Sequence, residues 1–175
     1  MVDTQRTPEK PFSYWAEELT SPGSAIPFSY SLLFSDNMTG IMFLYYWMGL
    51  ILLHKYIESL HRIIFQPVID AYPNLWPDLP PSLQIDVARY QQTRELAANI
   101  CRSLDATLEG TSQPDILVAP MTVALDLYRE INATSSQDGL LEMMWLDAFR
   151  GRLAAKGQYV ASVLQGNRWL ELAKY

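Results

Sequence analysis

The sequence is poor in cysteine, histidine and charge, and each shortage excludes something. One cysteine, Cys101, can close no internal disulfide and build no zinc cluster, which places the expected home of the chain inside the cell, cytoplasmic or nuclear and not secreted. Two histidines, His54 and His61, are too few for the common zinc and iron sites, so neither a metal nor a cofactor is expected. Charged residues make up 18% of the 175 positions, below the roughly 25% of ordinary globular chains. Thirteen Lys and Arg stand against nineteen Asp and Glu, for a net charge of −6 and no basic stripe. A nucleic-acid surface needs a positive footprint for phosphates, so no nucleic-acid partner is expected. Glycine-rich phosphate loops and the Gly-x-Ser-x-Gly nucleophile elbow are absent. No sustained two-residue alternation of β-branched and polar residues occurs, so no strand is expected. The first residues lack the apolar core of a signal peptide, and the triplets at Asn37 and Asn132 read as chance glycosylation matches. The longest uncharged stretch, Asn37 to Leu53, falls just short of a membrane span and begins with polar residues. It reads as a buried helix, and no membrane partner is expected.

Apolar and aromatic residues are plentiful: 49% hydrophobic, with five Trp, ten Tyr, six Phe and seven Met. That balance calls for extra buried surface, as a filled core, a ligand cavity or an oligomer interface. The punctuation by Pro and Gly predicts an all-α, irregular bundle of about five long helices in one domain, residues 35–175. A Pro-rich N-terminal arm, residues 1–34, precedes it, with one short helix at Phe12 to Leu19. The first long helix should start at Ser35 or Asp36 and end near Phe65, because Pro67 disfavours continuation. The second should open at Pro81 and Ser82 and end at Gly110. The third should begin between Pro114 and Pro120 and stop before Asn132. The fourth should run from Ser135 or Ser136 toward Gly151 or Gly157, and the fifth from Gln158 onward.

Ile41 to Leu53, IMFLYYWMGLILL, is apolar on every side of a helix and must be covered all round. Too few helices are available to surround it, which predicts a homodimer as the simplest cover. The N-terminal arm, through Phe12, Tyr14, Trp15 and Phe28, is the alternative cover. The same stretch offers aromatic walls for a small apolar ligand, beside Tyr45, Tyr46, Trp47, Gly49 and His54. Further along, His54, Glu58 and His61 are spaced by four and three residues and share one helical face. A carboxylate between two imidazoles can do general acid–base work, so these three are the candidate catalytic residues of an enzyme; otherwise they form a solvated face. Cys101 reads as a core thiol. Gly151, Ala154, Ala155, Gly157 and Ala161 read as a close helix-packing stretch.

One ordered set of motifs carries a family resemblance. LLFSDNMTGIMFLYYWMGLILLHKYIESLHRI is followed by ARYQQTRELAANICRSLDATLEG, with its Ala-x-x-Ile-Cys-x-Ser helix. Then come PMTVALDLYREI, the Glu142 to Trp145 element and GQYVASVLQGNRWLEL. From about Tyr30 to Leu172 the chain resembles the C-terminal part of the regulatory region of fungal zinc-cluster transcription factors. The six-cysteine cluster of that family is absent. The resemblance implies a helical regulatory or ligand-binding scaffold and transfers no catalytic residue. Besides a purely structural dimerisation piece, two functions follow as expectations. One is a module that binds a small natural-product-type molecule or a protein partner. The other is a cofactor-independent cyclase or isomerase of secondary metabolism that reuses the scaffold.

Overall fold

A computed structural model describes residues 14–18, 27–71, 92–134 and 138–165, with the backbone alone described at 61–62, 64–71 and 162–165. Within these residues the chain is mostly helical, with four α-helices and a small two-stranded sheet. In order they are β1 (Tyr14–Glu18), β2 (Tyr30–Phe34), α1 (Asn37–Ala71), α2 (Thr93–Gly110), a 3-10 turn (Pro114–Leu117), α3 (Val118–Thr134) and α4 (Leu140–Gln165).

The strands correct the expectation of none, and β1 replaces most of the short helix expected at Phe12 to Leu19. They pair antiparallel, with Tyr14 opposite Phe34 and Ala16 opposite Leu32. A sheet of this size has little local signal, because the partner strand and the core beneath it supply its stability. Leu32 is buried, and the Ser31 hydroxyl donates to the Arg102 carbonyl at 2.9 Å, which fastens β2 along α2. The Arg102 guanidinium lies over the Tyr30 ring at 4.3 Å and over the Phe28 ring at 5.7 Å. The later part of the expected arm is therefore core structure.

Asp36 starts α1. Its carboxylate accepts from the Thr39 backbone N–H at 2.8 Å and from the Thr39 hydroxyl at 2.7 Å. Those bonds satisfy an orphan donor of the first turn and hold the Asp36 carboxyl below its usual pKa. The helix then passes through Pro67 to Ala71, beyond the stop expected near Phe65. A proline deletes its own helical hydrogen bond and crowds the preceding turn, which weakens a helix without obliging it to end. Residues 72–91, where the expected start of the second helix falls, lie outside the described residues.

α2 is the central element and packs against α1, α3 and β2. Its inner face is small and tightly fitted: Ala97, Ala98, Ile100, Cys101 and Leu104 are buried. Ser103 and Thr107 are buried too, and their hydroxyls donate back to the carbonyls of Asn99 and Ser103. α1 approaches α2 closely at Gly40, where an added Cβ would stand 3.0 Å from both the Phe34 ring and the Thr107 hydroxyl. The α2 carbonyls of Leu108 and Glu109 accept from the Lys156 ammonium, which reaches over from α4. A cation there complements the helix dipole.

Residues 140–165 form one helix where two were expected, so the described helices number four. Gly151 and Gly157 lie inside it. Each interior glycine costs about 1 kcal/mol against alanine, less than the burial of a single large side chain returns. Leu146, Phe149 and Leu153 are buried along this helix, and the Phe149 ring stacks on Trp145 at 5.7 Å. Gly139, at φ +82°, turns the chain into α4, and its carbonyl accepts from the Met143 N–H.

Candidate functional site

α1 has two different faces. Gly40, Leu44, Trp47 and Ile51 point inward and are buried. Trp47 belongs to an aromatic cluster, 5.4 Å from Phe43 and 6.5 Å from Phe34, and Tyr14 of β1 lies 5.2 Å from Phe43. The described part of the N-terminal arm therefore packs on α1 beside Gly40, Phe43 and Trp47, while α2 covers most of its inner side.

On the opposite side, Met38, Met42, Tyr45, Tyr46, Leu52, Leu53, Tyr56, Leu60 and Ile63 are all exposed, by 39% to 71%. At 100° per residue they fall within an arc of about 120°, with Gly49 near its middle. They extend for roughly 38 Å at the helical rise of 1.5 Å per residue. No charged residue falls on that arc between Met38 and Ile63. An added Cβ at Gly49 would meet nothing within 4 Å, so the glycine is a shallow notch in an apolar ridge. Tyr45, at one edge, donates its hydroxyl to the Ile116 carbonyl at 2.9 Å, which ties the ridge to the 3-10 turn.

The residues expected to form one pocket are thus distributed over the helix. Tyr45, Tyr46 and Gly49 lie on the exposed ridge, Trp47 is in the core, and His54 is half-buried on the other side of the helix. Glu58 is exposed beside Lys55, Ser59 and Glu130 in a shallow groove of about 300 Å³. Lys55 bridges to Glu130 at 2.8 Å and ties α1 to α3 there. The side chain of His61 lies outside the described residues. Tyr45 and Tyr46 therefore do not share a cavity with the His54 and Glu58 pair.

A larger cleft, about 800 Å³, opens elsewhere, between the 3-10 turn, the start of α3 and the middle of α4. Its walls are mostly apolar, from Pro114, Val118, Met121, Leu153, Ala154 and Val160, and its ionisable lining residues are Asp115 and Arg150. The small residues Ala154, Gly157 and Ala161 form one side of it, so the stretch expected to pack tightly instead leaves open space. No sequence signal marked this cleft, because it depends on how α4 crosses α3. Cys101 is buried in the core, and desolvation pushes its thiol pKa well up, as it does for the Tyr128 hydroxyl. Among the described residues no group of three or more His, Cys, Asp or Glu is placed to hold a metal ion.

By length and composition the stretch Asn37–Leu60 could also cross a membrane, and its most apolar window has a mean hydropathy of 1.3. Only 22% of its most apolar window is buried, which distinguishes it from an ordinary core helix. Its packed inner face, seated on α2 through Gly40, distinguishes it equally from a helix surrounded by lipid. Among known proteins, no family model, no curated protein and no solved structure matches this chain.

Proposed function

We propose that this chain is a binding module: a helical scaffold, similar to the regulatory region of fungal zinc-cluster transcription factors, that works by docking an apolar protein surface on α1. The exposed ridge from Met38 to Ile63 carries this reading. Nine side chains exposing more than half of their surface on average amount to roughly 1,000 Å², against the ~300–600 Å² of the largest patch on a typical monomer. A ridge without charge, rich in Tyr, Met and Leu, has the composition of an interface centre. The net charge of −6 disfavours nucleic acid and anionic lipid as partners. A protein helix with an apolar face suits such a ridge, because helices dock by setting side chains into the grooves of a partner.

The experiment uses a labelled amphipathic helical peptide with leucines on one face, and separately vesicles of zwitterionic lipid. We expect the peptide to bind the wild-type chain and to lose binding to the Tyr46→Lys, Leu53→Lys variant, with the helical circular dichroism of the variant unchanged. Equal peptide binding by both chains overturns the reading, and so does binding by neither when the wild-type chain is a monomer. Vesicle binding abolished by the same substitutions, with no peptide binding, replaces a protein partner by a membrane surface.

A second reading rests on the cleft between α3 and α4, whose size and apolar walls suit a small natural-product-type molecule. An enzyme built there would have to use Asp115 or Arg150, since His54 and Glu58 stand on α1. That arrangement favours binding over cyclisation or isomerisation.

A further inference from the structure

The partner of the α1 ridge can be named from its own pattern, an inference that rests on the docking reading above. We propose that the ridge pairs with the same ridge of a second copy, antiparallel, about a two-fold axis passing between Leu50 and Ile51. Three observations carry this.

The first is area. A standard interface buries about 800 Å² per partner, and the nine ridge side chains expose roughly 1,000 Å². The ridge alone is large enough, without recruiting any other face.

The second is self-complementarity. A two-fold interface sets residue i against j and j against i, so one surface must fit itself. About an axis between Leu50 and Ile51, Gly49 faces the partner's Leu52, and the partner's Gly49 faces Leu52. A side chain that stands out thus meets the notch in which an added Cβ would touch nothing. One turn further out, Tyr45 meets the partner's Tyr56, and the two rings can pack offset or edge to face. At the ends, Met38 meets the partner's Ile63. In a parallel pair Gly49 would face Gly49, and the centre would hold a void.

The third is charge. Two copies of a chain at −6 repel each other, so a stable pair must keep its carboxylates out of the contact. The ridge contains none over its whole length. On α1 itself, Lys55 and Glu58 lie on the side that faces Glu130, and Lys55 already bridges to Glu130.

The test is sedimentation of the full chain at micromolar concentration, with Leu52→Lys as the disrupting variant. The expected mass is twice the 20.0 kDa of one chain for the wild type and 20.0 kDa for the variant. Apposing two lysines near the axis should weaken the pair by ~100-fold or more. Leu52 is already exposed in the single chain, so the variant should keep the wild-type helical circular dichroism and a cooperative unfolding transition, lowered only by the lost association. Orientation is read from short bismaleimide cross-links between Tyr45→Cys and Tyr56→Cys chains, with Cys101 buried and silent. Mixed 45–56 products support the antiparallel pair. Products of 45–45 alone overturn it, and so does a Leu52→Lys chain that stays dimeric. A wild-type mass of 20.0 kDa with the helical peptide still bound overturns the second copy and leaves the docking reading standing. A mass of 20.0 kDa with no peptide bound overturns both.

Discussion

Two glycines on one helix should respond to the same substitution with opposite sign. Gly40 and Gly49 both lie in α1, and replacing either by alanine removes the entropic cost of an interior helical glycine, about 0.5–1 kcal/mol. At Gly49 nothing opposes that gain, since a Cβ there meets no atom within 4 Å. Gly49→Ala should therefore stabilise the single chain by the full ~0.5–1 kcal/mol. At Gly40 the Cβ lands 3.0 Å from the Phe34 ring and 3.0 Å from the Thr107 hydroxyl. Neither neighbour moves easily. Phe34 stands 5.8 Å from Phe43 and 6.2 Å from Tyr14 in the aromatic cluster, and Thr107 is buried and bonded to the Ser103 carbonyl at 2.8 Å. Overpacking of this kind costs about 1–3 kcal/mol, which outweighs the helix gain. Gly40→Ala should thus destabilise by about 0.5–2 kcal/mol. The assay is urea unfolding followed by tryptophan fluorescence, in a Leu52→Lys background so that association does not enter. A midpoint shift of the same sign at both positions would refute the packing of α1 on α2 described above.

Acid pH should act on the start of α1 through Asp36, whose folded pKa lies below its ordinary value because Thr39 donates to its carboxylate. A depressed folded pKa gives stability that is present above the unfolded value of 3.8 and is lost as pH falls through the folded pKa. Asp36→Asn keeps a capping oxygen and should flatten that part of the stability profile, read as urea midpoint against pH; an unchanged acid slope would count against the cap. Cys101 should be silent toward an aromatic disulfide reagent in the native chain and react fully once the chain is unfolded, since burial disfavours its thiolate. Rapid native-state reaction would show that α2 is less covered than described.

The helices were legible where periodicity and caps agree. DNMTG announces the start of α1 at Asp36, and Ala97, Ile100, Cys101 and Leu104 announce the inner face of α2. Three features were not legible, each because tertiary contacts outvote local preference. YWAEE and YSLLF become strands only when laid on each other and on α2. Gly151 and Gly157 look like helix stops, yet Leu146, Phe149 and Leu153 anchor α4 on both sides of Gly151. Pro67 looks like a stop and is carried within α1. The candidate site was legible in composition but not in direction. The segment Ile41 to Leu53 announces burial on all sides, but only contacts with α2 decide that Leu44, Trp47 and Ile51 turn inward while Tyr45, Tyr46, Leu52 and Leu53 turn outward. His54 and Glu58 share a helical face as their spacing requires, but that face looks away from the tyrosines.

The bond from Ser31 to the Arg102 carbonyl joins residues 71 positions apart. Translation adds about 5–20 residues per second, so β2 and α1 emerge several seconds before the helix that receives them. During that interval α1 shows water both its future inner face and its outer ridge. Its most vulnerable moment thus precedes the completed fold, when Leu44, Trp47 and Ile51 still lack α2. A nascent chain of this design gains from a partner that shields α1 early. Changes that delay α2, such as a long insertion between α1 and α2, should lower soluble yield more than they lower the stability of the finished protein.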